Sequence, residues 1–167
     1  LVRVLDPLTA IGIEVHVVSG ATGFVPGCRI VSGALLVDPG CAPSAVLHEA
    51  GHVALVPSRF RSYMSGNLGA GMKRMFDELA EMELPPDHPL QRAAIQCSDP
   101  EATAWAWAAG MAVGLAPEEI ILDEEYGGTG AEIRSMLRAN RYVGINGLAH
   151  AGMCQRGPWA APASRYP

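Results

Sequence analysis

Residues 45–56 read AVLHEAGHVALV, an apolar run interrupted by His48, Glu49 and His52. On a helix, positions i and i+4 stand one above the other, so both imidazoles can reach a single ion. Glu49, one step round from His48, then leans over the water that fills the open position of a catalytic metal. This spacing points to metal-assisted hydrolysis, with His48 and His52 as zinc ligands and Glu49 as general base. The competing reading is a plain helix with two satisfied histidines and a carboxylate. It leaves three buried polar groups on one face in need of partners. Gly51 lowers helix propensity by about 1 kcal/mol relative to Ala, which makes sense where another element packs against the helix backbone.

A catalytic zinc takes a third protein ligand. The extended pattern H-E-x-x-H-x-x-G-x-x-H is not met, because Leu55 and Ser58 occupy its Gly and last His places. A more distant carboxylate is wanted, and Glu101 is the candidate, at the mouth of the most apolar helix. Ser98-x-x-Glu101 is also a capping-box pattern, and an acidic first turn suits the helix dipole. Spacing alone leaves ligand and cap open. Asp99 reads as the N-cap, with Pro100 at the first helical position, and not as a ligand.

Taken together, HEAGH at 48–52 and EATAWAWA at 101–108 resemble the ImmA/IrrE family of zinc metallopeptidases. That family carries H-E-x-G-H on one helix and E-x-x-A-x-x-F-A on a later one, matched here by Glu101, Ala104, Trp107 and Ala108. GLAPEEI (114–120) is similar to the turn after that second helix. The resemblance runs from about residue 11 to 125 and implies a zincin-like fold, with Zn2+ held by His48, His52 and Glu101. It also implies Glu49 as base and a protein or peptide substrate, with repressor proteins among the possibilities. The stretch 58–97 reads as an insertion. In such a site Glu49 takes a proton from the attacking water and passes it to the leaving amine. A further oxyanion donor stays open among Tyr63, His88, Tyr126, Tyr142 and His150, while His16 reads as structural. Two rivals remain: a non-catalytic module that keeps the fold, and a metal-dependent hydrolase of a small amide.

The elements that must position these residues read as an α+β domain over 1–154, followed by an extended tail over 155–167. IGIEVHVVS (11–19) alternates as a strand. Two apolar runs around Ser32-Gly33 form a hairpin, and its second arm, ALLVD (34–38), reads as an edge strand open to an extended substrate. Pro43 starts a helix that Pro57 stops. Residues 58–71 read as loop, and 72–84 as a helix with Met72, Met75, Phe76 and Leu79 on one face. A loop at 85–89, a nearly all-apolar helix at 98–115 and helical pieces at 117–126 and 131–142 complete the chain. The expected architecture is a small N-terminal sheet followed by a helical bundle that carries the HExxH helix.

A 49% hydrophobic and 17% charged composition describes a globular chain and excludes a disordered one. A net charge of -5 gives no general electrostatic case for nucleic acid; the RFR (59–61) and Lys73-Arg74 clusters read as solvated. No run approaches the roughly 18 apolar residues of a membrane span. The opening LVRVLDPL, which begins without Met, lacks a basic n-region and cleavage site, so the expected location is cytoplasmic. Cys28, Cys41, Cys97 and Cys154 form no C-x-x-C pair and read as reduced thiols.

Overall fold

The computed structural model describes residues 1–153; the tail expected over 155–167, and Cys154, lie outside the described residues. The architecture is α+β, a three-stranded sheet with helices packed against it. A helix the sequence did not announce, α1 (Val2–Ala10), comes first. Pro7 lies inside it, and a proline in a helix interior removes a hydrogen bond and argues against helix on pattern alone. Leu8 and Val4 of α1 are buried in the core.

The expected strand over 11–19 contracts to β1 (Val15–Val17). β2 (Cys28–Val31) and β3 (Ala34–Val37) form the expected hairpin, antiparallel with Cys28 opposite Val37 and Val31 opposite Ala34. Its turn places Ser32 at φ 50° and Gly33 at φ 84°, the two left-handed steps whose twist suits a tight hairpin. The sheet order is β1-β3-β2, with β1 parallel to β3. The expectation of an edge strand at 34–38 is therefore wrong. β3 is central, because the chain leaving α1 lays β1 against its free side, where the Leu35 amide donates to the Glu14 carbonyl at 2.8 Å.

α2 (Pro43–Leu55) is bounded as the prolines dictate: Pro43 sits in its first turn, and Val56 turns extended ahead of Pro57. Beyond it a 3-10 turn (Ser58–Tyr63) precedes α3 (Leu68–Glu81). α3 starts earlier than its apolar stripe suggests because the Asn67 side chain accepts from the Gly69 amide at 3.0 Å and caps it. Met75 and Leu79 are buried, while Phe76 is exposed. α4 (Pro89–Ile95) is capped by His88.

α5 (Asp99–Ala112) is buried without interruption from Ala102 to Gly110, as its apolar composition requires. α6 (Pro117–Ile120), α7 (Glu125–Gly128), α8 (Gly130–Arg138) and α9 (Gly144–His150) follow. The helix expected over 117–126 breaks at Ile121, whose carbonyl accepts from the buried Arg134 guanidinium at 2.6 Å. The core centres on α2 against α5, with the sheet, α1 and α6 also touching α2. Trp105, Phe60, Leu47 and Leu55 are fully buried in it. Cys28, Cys41 and Cys97 are buried free thiols. Among the described residues no helix is long and apolar enough to cross a membrane.

Candidate metal centre

The site begins with a backbone contact. A Cβ on Gly51 would lie 2.7 Å from the Ala102 carbonyl oxygen, so α2 and α5 cross with almost nothing between them. That contact explains the unfavourable glycine in α2. It also fixes what stands beside the crossing: His48 and His52 on α2, and Asp99 one turn before Ala102 on α5.

His48 Nε2 lies 3.2 Å from His52 Nε2. Asp99 Oδ1 lies 3.1 Å from His52 Nε2 and 4.0 Å from His48 Nε2. Bonds of about 2.0–2.1 Å at tetrahedral angles put ligand atoms about 3.4 Å apart. The three separations bracket that value, so the two imidazoles and one carboxylate oxygen fit a single tetrahedral cation such as zinc. Two nitrogens and one oxygen are also a donor set that zinc accepts.

Glu101, expected as the third ligand, does not join this group. Its carboxylate accepts from the Ser98 hydroxyl and faces Gly147 of α9. Nor does it complete a capping box: Ser98 is the N-cap but makes no side-chain capping bond, and the Glu101 carboxylate meets its hydroxyl. Asp99, set aside as the N-cap, is instead the first helical residue, with Ser98 as N-cap, and its side chain points across at α2. A signal for it was present. DPEATAWA (99–106) fits E-x-x-A-x-x-F-A with Asp in place of Glu, through Asp99, Ala102, Trp105 and Ala106. That register lies two residues ahead of the one through Glu101.

The electrostatics suit metal work. Burial pushes His48 down to about 4, aided by His52 and opposed by Asp99, so its ring is neutral and its lone pair free at neutral pH. The hydrogen bond with His52 holds Asp99 below the usual carboxylate range. Glu49 is only 6% exposed. Burial lifts its carboxyl above the ordinary value, with His52 pulling the other way and Asp99 adding to the rise. A carboxylate raised in this manner is a better proton acceptor, as a general base needs to be.

The group opens into a cleft of about 1090 Å³, lined also by Phe24, Ile30, Met64, Leu68, Met72 and Tyr142. Of the proposed oxyanion donors, Tyr126 and Tyr142 line this cleft. Tyr63 is held by Glu78 at 2.5 Å and lies under Arg74. His88 caps α4 through a 3.2 Å bond from the Leu90 amide. His150 ends α9 and is not among the cleft residues. His16, on β1, pairs with Glu14 at 2.7 Å on the surface.

No protein-family model, no curated protein and no solved structure matches this chain.

Proposed function

We propose that the chain is a zinc-dependent peptidase of zincin type, with His48, His52 and Asp99 holding the metal and Glu49 acting as general base. The observation that carries this reading is the convergence of two Nε2 atoms and one Oδ1 atom, all within 4.0 Å of one another, next to a buried carboxyl. A zinc ion held there supplies Lewis acidity, lowering the pKa of a water to about 7 and polarising a carbonyl. Glu49 accepts the proton of the attacking water and returns it to the leaving amine. His48 and His52 would offer Nε2 to the ion, and Asp99 would contribute one negative charge.

The cleft, about 1090 Å³ and lined from both the sheet and the segment 58–97, has room for side chains of a peptide. The apolar lining from Ile30, Met64, Leu68 and Met72 suits apolar side chains of an extended substrate. β2, at the edge of the sheet, contributes Arg29 and Ile30 to that lining.

Glu49→Gln tests the reading. Zinc content should stay at the wild-type level while cleavage of an unfolded protein substrate falls by about 10²–10⁴-fold, the usual worth of a general base. A variant that cleaves like wild type would remove Glu49 from the chemistry. A wild-type protein that binds zinc and cleaves nothing would favour the non-catalytic module.

A further inference from the structure

We propose that Tyr126 is a positioning residue for His48, holding its ring for the metal through a chain of hydroxyls that joins α2 to α5. The inference rests on the metal-centre reading above. Tyr126 Oη lies 3.2 Å from His48 Nδ1 and 3.0 Å from Thr103 Oγ1. The Tyr126 and His48 rings meet edge to face, 6.1 Å between centroids. Thr103 is fully buried on α5, one turn beyond Asp99 and on the same face. Tyr142, also in the cleft wall, bonds to the same threonine.

Coordination chemistry sets the direction of these bonds. A ligating Nε2 must offer its lone pair, so the imidazole proton sits on Nδ1 and donates to Tyr126 Oη. The Tyr126 O–H is then free to donate to Thr103 Oγ1. The bond limits the rotation of the His48 ring, and with an ion at Nε2 it also fixes the tautomer. The ligand-bearing helices are linked twice, once at the Nε2 and Oδ1 atoms and once through the two side-chain oxygens behind them.

The backbone that delivers this hydroxyl is unusual. Tyr126 adopts φ 56° and ψ 37°, followed by Gly127 at φ 70° and ψ 27° and Gly128 at φ 88°. A left-handed conformation is costly for a non-glycine residue, and it persists where the surroundings determine it. They do so here. The Thr129 hydroxyl donates to the Tyr126 carbonyl at 2.9 Å, and the Glu125 carboxylate accepts from the Leu122 amide at 2.9 Å. Packing does not explain the tyrosine, since its side chain is half-exposed at the cleft. Its oxygen, with polar contacts on two different helices, accounts for the strained turn.

Tyr126→Phe removes that oxygen and keeps the ring. Zinc affinity, measured by competition with a chromophoric chelator, should fall by about 10–100-fold, the usual effect of losing an outer partner of a metal-bound histidine. Unfolding of the zinc-free protein should change little. In the zinc-loaded wild type the His48 Nδ1–H should give a slowly exchanging NMR signal, which the variant should lose. Thr103→Val leaves Tyr126 in place, should weaken zinc in the same direction by a smaller factor, and decides the matter if the first variant does not fold. Wild-type zinc affinity together with a retained Nδ1–H signal in the folded variant would overturn the positioning role alone. A wild-type protein that takes up no zinc would instead overturn the metal centre and this role with it.

Discussion

The α2–α5 crossing and the segment 58–97 border the same cleft but are built in opposite ways. At the crossing, Gly51 and Ala102 bring two backbones into contact, and α5 is buried along most of its length. In the segment, α3 buries only Gly71, Met75 and Leu79. Its outer surface carries the Arg59–Glu78 and Lys73–Asp77 ion pairs, a type of contact that adds little stability. Into the cleft the segment sends Met64, Leu68 and Met72, and methionine in particular is flexible enough to adapt to different partners. The backbone-to-backbone crossing holds the groups that need fixed separations, and the segment contributes side chains to the cleft wall.

The contrast can be broken most severely at Asp99. Asp99→Ala should lower zinc affinity by more than the roughly 100-fold upper range of an outer partner, whereas Glu101→Ala should leave it close to wild type. Metal titration of both variants checks this, and the opposite ranking would give the third-ligand role back to Glu101. Gly51→Ala comes next. Alanine gains about 1 kcal/mol in helix propensity, but its Cβ would press on the Ala102 carbonyl, which as backbone cannot swing away. Overpacking costs about 1–3 kcal/mol, so denaturant unfolding should show net destabilisation; a more stable variant would mean that the crossing has room to spare.

Met72→Ala probes the cleft wall. Stability should move by no more than about 1 kcal/mol, while the ratio of kcat/KM between peptides differing in one apolar side chain should shift by roughly 10-fold or more. An unchanged ratio would take this residue out of substrate selection.

The smallest effect bears on the approach to the crossing. Asp38 accepts from the Gly20 amide at 2.6 Å and the Gly40 amide at 2.8 Å, tying down the loop that leads into α2. These bonds hold its carboxyl below the ordinary value of 3.8. An acid with a depressed folded value contributes stability above the unfolded value, and loses it as pH falls through the folded one. Wild type should therefore lose more stability than Asp38→Asn between pH 5 and about 2, as read from urea midpoints. Parallel curves would show that the loop does not depend on this charge.

The features legible in the sequence are those with local punctuation. Pro43 and Pro57 frame α2, and Ser32-Gly33 announces the hairpin, because proline and left-handed turns constrain their own neighbours. What escaped depends on distant partners. β1 reaches β3 only by a parallel crossover, so the central place of Leu35 and Leu36 is invisible in their own stretch. α9 contains Gly144 and Gly147, both poor helix formers, and its stretch gives no helical signal of its own; Gly144 packs against Pro100 at the start of α5. The pair of histidines was visible from periodicity. The choice between Asp99 and Glu101 was not, because both registers place a tryptophan where the motif has an aromatic ring, and only the meeting of Gly51 with Ala102 separates them.

His52 stands near the end of α2 and Asp99 opens α5, so all the chain between them hangs from two adjacent posts. An ion shared by those posts would close a ring over that span, a restraint felt most by the unfolded chain, since the packed helices already fix both posts in the folded one.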